Sequence, residues 1–148
     1  MNERKEPRVP VFRPNEPGLE KMLGALEAQI MQVLWDRETS QSVQDVRDEL
    51  ARRGKAAAYT TVMTTLGRLY SKGLLARETR GKAYYYLARV NRRDLTQNVT
   101  RQVLGGLLST FTEPAIAYFV EAIEEQDPAQ LDALAALVEA KRKERQEP

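Results

Sequence analysis

YTTVMTTLGRLYSKG, running from Tyr59 to Gly73, is the most telling stretch of this chain. Val62, Leu66 and Leu69 recur at helical spacing, so a helix over Tyr59–Lys72 turns one side inward. Gly73 fits the left-handed position that ends helices. Four of the six residues from Thr60 to Thr65 are threonine, only a moderate helix former, so local propensity did not select them. Short hydroxyls on an exposed helical face are what a groove-docked helix uses to reach phosphates and base edges. The plainer reading is of threonines tolerated on a solvated helix.

Beyond Gly73 the period of apolar residues falls from helical to about 2. Leu74–Thr79 and Ala83–Leu87 read as two strands around Arg80-Gly81-Lys82, a hairpin with a basic tip. Tyr84 and Tyr86 share one face, Tyr85 and Leu87 the other, and one of these faces must pack on helices. Upstream, Leu23, Leu26, Ile30, Val33 and Leu34 recur at three- and four-residue spacing, with Trp35 closing the segment. Ser42-x-x-Asp45 forms a capping box for a second helix, Val43, Val46 and Leu50 supply its apolar stripe, and Gly54 stops it. Helix, helix, helix, hairpin within residues 21–90 is the order of a winged helix.

Residues 91–148 are of a different kind. Leu95, Val99, Val103, Leu107, Leu108 and Phe111 make one apolar stripe. Pro114 suits the first turn of a next helix, which carries Ile116, Phe119, Val120 and Ile123. Asp127-Pro128 opens a third, with Leu131, Leu134, Leu137 and Val138, leading into a charged tail, Lys141–Glu147. Three short amphipathic helices enclose little core by themselves. Mutual burial across a two-fold axis would cover their stripes, so a helical dimerisation domain is expected here. The fold expected is thus mainly α with a small antiparallel β-wing. Residues 1–20, with Pro7, Pro10, Pro14 and Pro17, read as a flexible arm, either idle or tracking DNA.

Composition narrows the chemistry. The 148 residues include no cysteine and no histidine, which removes disulfides, the usual zinc and copper ligands, the commonest general base and the thiol nucleophile. No cofactor, no metal and no catalytic residue is expected. No apolar run approaches the ~18 residues of a membrane span, and no signal peptide is legible at the start, so the expected location is cytoplasmic, without membrane insertion. The net charge of +2 hides an asymmetry: residues 21–90 carry twelve Lys and Arg against seven Asp and Glu, residues 91–148 seven against ten. A basic first half suggests nucleic acid, an acidic second half protein contacts.

The candidate DNA contacts follow from placement. Thr60, Thr61 and Thr64, with Tyr59 and Met63, could read base edges. Arg68, Lys72, Arg77, Arg80 and Lys82 could neutralise phosphates and release counterions; their plainer reading is as solubilising charges. The carboxylate groups Glu124/Glu125 and Asp45/Asp48/Glu49 lie on charged helical faces and read as solvated surface rather than acid–base or metal sites. Gly105-Gly106 lacks the flanking strand of a phosphate loop. Rival readings are a winged helix used as a protein-interaction module, one controlled by a small-molecule effector, and a carboxylate hydrolase.

These residues resemble the BlaI/MecI/CopY family of bacterial penicillinase repressors, from Leu23 to about Val138. The resemblance rests on Leu23-Gly24-Ala25-Leu26-Glu27 through Leu34-Trp35, on Tyr59-Thr60-Thr61-Val62-Met63-Thr64-Thr65-Leu66, and on Arg68-Leu69 with Lys72-Gly73-Leu74-Leu75. It implies an N-terminal winged-helix domain, a C-terminal three-helix dimerisation domain and a homodimer on an inverted-repeat operator in double-stranded DNA. By matched position it implies recognition contacts from Thr60, Thr61 and Thr64, with Arg80 and Lys82 in the wing. The chain departs from the copper-responsive branch, whose cysteine motif it lacks. In the β-lactam-responsive branch a membrane sensor metalloprotease cuts an Asn-Phe bond. Phe119-Val120-Glu121 resembles the residues after that cut and would place the bond at Tyr118-Phe119, with tyrosine in place of asparagine.

Overall fold

The computed structural model describes residues 22–147, so the expected arm at 1–20 lies outside the described residues. Helices α1 (Ala25–Trp35), α2 (Val43–Arg52) and α3 (Tyr59–Ser71) are followed by strands β2 (Leu75–Arg80) and β3 (Ala83–Ala88), with a short strand β1 (Gln41–Ser42) before α2. Helices α4 (Arg92–Thr110), α5 (Thr112–Gln126) and α6 (Ala129–Gln146) complete the chain. The fold is mainly α with one small antiparallel sheet, as expected. The described residues divide into two compact units, the break falling after Arg101, inside α4.

The first unit is built on local signals that agree with its packing. Ser42 accepts a hydrogen bond from the Asp45 amide while the Asp45 carboxylate accepts from the Ser42 amide, so the capping box forms. Gly54 (φ 73°) and Gly73 (φ 82°) both take the left-handed conformation. After α2, the Lys55 amide reaches the Leu50 carbonyl and the Gly54 amide that of Ala51; after α3, Leu74 reaches Leu69 and Gly73 reaches Tyr70. These are paired Schellman bonds, which satisfy the last carbonyls of each helix and turn the chain sharply. The second one delivers Leu74 and Leu75, both buried, from α3 into β2.

The core joins α1 (Ile30, Met31, Val33, Leu34), α2 (Val46, Leu50), α3 (Val62, Leu66, Leu69) and the sheet (Leu75, Tyr86). Each fully buried aliphatic side chain contributes about 1.5–3 kcal/mol, several times the propensity cost of a threonine, at most ~0.7 kcal/mol. Burial of one stripe therefore outweighs the weak helix formers around it. The start of α4 belongs to this unit, with Leu95 and Val99 buried. The Trp35 indole donates to the Val90 carbonyl at 2.8 Å and so pins the end of the hairpin to α1.

The sheet runs β1-β3-β2, all antiparallel. Only Gly81 and Lys82 lie between the paired Arg80 and Ala83, so Arg80 belongs to the strand and not to the turn. Gly81 has φ 61° and Lys82 does not share that sign, the pattern of a type II′ hairpin turn. Strand β1 was not legible beforehand, because two residues carry no periodicity and Ser42 already reads as a cap.

In the second unit Pro114 falls in the first turn of α5, and the Asp127 carboxylate accepts from the Ala129 amide at the start of α6. Helix α6 continues through the charged segment to Gln146. Neither α5 nor α6 buries a residue.

Candidate nucleic-acid interface

Helix α3 sorts its side chains by face. Val62, Leu66 and Leu69 are buried, and Thr65 joins them with its hydroxyl donating to the Thr61 carbonyl at 2.7 Å. On the outer side Thr60, Thr64, Gly67 and Ser71 follow one another at alternating four- and three-residue steps and so share a row. Thr61 and Arg68 border that row on one side and Met63 on the other, all exposed. The Thr64 hydroxyl donates to the Thr60 carbonyl at 2.9 Å, leaving its methyl and an acceptor lone pair for the outside. No hydrogen bond among the described residues engages the hydroxyls of Thr60 and Thr61. Sequence reasoning passed over Gly67 and Ser71; their spacing from Thr60 and Thr64 is the signal that finds them.

The candidate cations occupy different situations. Lys72 forms an ion pair with Glu27 of α1 at 2.6 Å, both largely covered, so it braces α3 against α1. Arg80 is engaged by Glu78 and the Ser40 hydroxyl and stacks over the Tyr85 ring at 4.6 Å. The Arg77 guanidinium lies 4.0 Å from the Tyr70 ring centroid and 4.1 Å from that of Tyr84. Arg68 and Lys82 are exposed with no ion pair among the described residues. Cross-strand register puts Arg77 opposite Tyr86 and Arg80 opposite Ala83, so by alternation the two arginines stand on opposite faces of the sheet. Buried Tyr86 marks Arg77's side as the helix-facing one.

The candidate carboxylates of α2 have structural partners, whereas Glu124 and Glu125 are exposed on α5. Asp45 caps α2, Asp48 accepts from Gln44 at 2.7 Å, and Glu49 receives Arg37 and Arg53 at 2.9 and 3.0 Å with Arg52 beside them at 3.3 Å. Arg53 also reaches Asp36 at 2.8 Å, tying the end of α1 to α2. The hydrogen bond from Arg53, with the nearby Arg52 and Arg37 charges, holds the Glu49 carboxyl below the ordinary carboxylate range.

In the second unit most of the large apolar side chains lie open, with Val103, Ile123, Leu131 and Leu134 half-buried. Phe111 is 58% exposed, Leu137 66% and Tyr118 68%. A groove of about 670 Å³ runs between Leu104, Leu107, Phe111, Phe119, Leu134 and Val138. Tyr118 and Phe119, the residues at the anticipated cut, lie in the middle of α5.

Comparison with known proteins gives this arrangement a lineage: the penicillinase repressor family model matches residues 23–140. The chain belongs to that family. It is a DNA-binding transcriptional repressor and not an enzyme. The transcriptional regulator BlaI of Mycobacterium tuberculosis (strain ATCC 25618 / H37Rv) is 32% identical over 119 residues, covering 80% of this chain and 86% of that protein. Two solved structures are similar in part. One, from work on the DNA recognition and protein interaction domains of HOP2, is 26% identical, with 42% of this chain and 95% of that one covered and a TM-score of 0.39. The other, from the complex structure of hsRosR-S1, is 22% identical, with 77% and 99% covered and a TM-score of 0.43. Among the described residues no helix is long and apolar enough to cross a membrane.

Proposed function

We propose that this repressor acts as a homodimer on an inverted-repeat operator, with one α3 in the major groove of each half-site, and that proteolysis in the second unit releases it. The observation that carries the reading is the outer row of α3: hydroxyls and a glycine on a helix whose other side is anchored in the core. Thr60 and Thr61 have donors and acceptors free for base edges. Thr64, its proton committed to the Thr60 carbonyl, offers a methyl for thymine and an acceptor for a base amine. Arg68 on α3 and Lys82 at the wing tip neutralise phosphates, giving affinity without sequence choice. Tyr59 and Met63 flank the row.

The unburied apolar face of the second unit supports the dimer. A soluble chain gains by covering such a face, and a second copy offers the same face across a two-fold axis. Two half-sites then bind with the second at high effective concentration. Cleavage between Tyr118 and Phe119 by a membrane sensor metalloprotease would separate α6 from the rest and remove Leu134, Leu137 and Val138 from that face. Helix α5 has no buried residue, so drawing the bond out of it disturbs little packing.

DNA titrations of the full chain over a salt series test the reading. Thr60→Ala and Thr61→Ala should lower the preference for operator over random DNA. Arg68→Gln and Lys82→Gln should weaken both alike and reduce the salt slope by about 1 per lost contact. An unchanged slope in the Arg68→Gln/Lys82→Gln double variant would remove both from the interface. Intact-mass measurement after co-expression with the protease should show a fragment beginning at Phe119; fragments beginning elsewhere would refute that bond.

A further inference from the structure

Of the arginines around the hairpin, Arg77 is held in the most unusual way. Arg80 has its N–H groups engaged by Glu78 and Ser40, and Arg89 donates to the Gly73 carbonyl at 3.3 Å. The Arg77 guanidinium forms no hydrogen bond or ion pair among the described residues. It is instead flanked by two rings, Tyr70 in the last turn of α3 and Tyr84 on β3, at 4.0 and 4.1 Å. The π-faces attract the cation and draw its carbon to within about 4 Å of both rings, while its N–H donors are left unspent.

The rings are themselves placed by the fold. Tyr84 meets Tyr86 edge-on, at 6.4 Å between centroids and 63° between planes, and Tyr86 is buried in the core. Tyr70 follows buried Leu69, and its carbonyl accepts the Gly73 amide that turns the chain out of α3. One ring therefore reports the position of the recognition helix and the other that of the wing. Both lie about 40–47% exposed, so the arginine between them is at the surface, on the side of the sheet that faces α3.

We propose that Tyr70 and Tyr84 are positioning residues for a DNA backbone contact made by Arg77, whose guanidinium edge they aim at a phosphate. The assignment rests on the DNA-binding reading above and adds the part played by the two tyrosines. A planar fork held against two aromatic rings with its N–H groups free presents two parallel donors to two phosphate oxygens, a geometry that lysine cannot reproduce. Because one ring belongs to α3 and the other to the wing, the contact forms only when both elements are seated in their native relation. Arg77 is thus a register point between groove and backbone, carrying affinity and not base choice.

The test is DNA binding by the full chain, to operator and to random DNA over a salt series, with melting curves as a check of folding. Arg77→Gln should weaken both DNAs alike and lower the salt slope by about 1 per contact. Arg77→Lys should keep the slope, because the charge remains, yet lose about tenfold in affinity for want of the fork. Tyr70→Leu and Tyr84→Leu should each weaken both DNAs about three- to tenfold with the slope unchanged, while the phenylalanine variants, which retain the rings, bind as the parent does. In the Arg77→Gln background either leucine substitution should add nothing further.

Losses that add in full to that of Arg77→Gln, or leucine variants that bind as the parent does, would overturn the positioning role. A selective loss of operator preference in Arg77→Gln would overturn the phosphate assignment. If the parent protein itself showed no salt-sensitive DNA affinity, the broader DNA-binding reading would fall. Parent binding with an unchanged slope in Arg77→Gln would sink the Arg77 contact alone.

Discussion

At Gly67 a helix interior carries the residue that weakens helices most after proline. A Cβ built there meets nothing within 4 Å, so packing inside the molecule does not require glycine. Its place in the outer row between Thr64 and Ser71 supplies a reason, since a bare backbone allows a docked duplex to come closer. Gly67→Ala should therefore stabilise the fold by about 0.5–1 kcal/mol while weakening operator binding; a higher melting temperature with undiminished affinity would place Gly67 outside the contact. Glu49 supplies a second prediction. Its folded carboxyl titrates below the ordinary range because Arg53, Arg52 and Arg37 surround it. A depressed folded value means stability that is present above the unfolded value and lost as pH falls through the folded one. Glu49→Gln should accordingly lower the urea midpoint at neutral pH, with the difference from the parent vanishing in acid. A difference that persisted below the carboxylate range would assign Glu49 a role other than its charge. Threonines 60, 61 and 64 were legible as an exposed face from periodicity alone. The hydroxyl bond of Thr64 to its own helix was not, because side-chain rotamers leave no trace in spacing.

Among the elements, the helix ends were the most legible, because capping chemistry is local. Ser42 with Asp45, Gly54 and Gly73 needed no tertiary information, and each does what its type allows. Gly73→Ala would force a left-handed conformation on a residue with a Cβ, at a cost of about 1–2 kcal/mol, and Gly54→Ala a similar amount. The two variants should separate by function: Gly73 sets the exit from α3 into β2, so its variant should also lose DNA affinity beyond the share explained by unfolding. Chemical denaturation beside DNA titration measures both effects, and equal DNA affinity in the two folded variants would argue against a coupled exit. The hairpin was legible as alternation, yet its turn is one residue shorter than Arg80-Gly81-Lys82 suggested. Pairing of Arg80 with Ala83 is a cross-strand fact, and a strand by itself does not reveal where its partner begins. Strand β1 escaped for the same reason: it exists only because β3 lies beside it.

For the whole molecule, the contrast between the two units is the main physical fact. The first has a closed core; the second leaves Phe111, Tyr118 and Leu137 more than half exposed. If a second copy covers that face, folding is linked to association and the melting temperature rises with protein concentration. Calorimetry over a hundredfold range of concentration checks this, and a constant midpoint would count against the dimer. The sequence by itself determined the order of the helices and the hairpin, the capped ends and the buried stripe of α3, and its motifs carried the resemblance to the family. The elements, caps and stripe arise from periodicity and local backbone preference, which act within a few residues. Only the tertiary structure decided how the cations are used. Lys72 is held by Glu27, Arg80 by Glu78 and Ser40, and Arg77 by Tyr70 and Tyr84, partners that in most cases lie on other elements. A charge in a sequence has a sign, but whether it is spent or free depends on what the folded chain brings within a few ångströms of it.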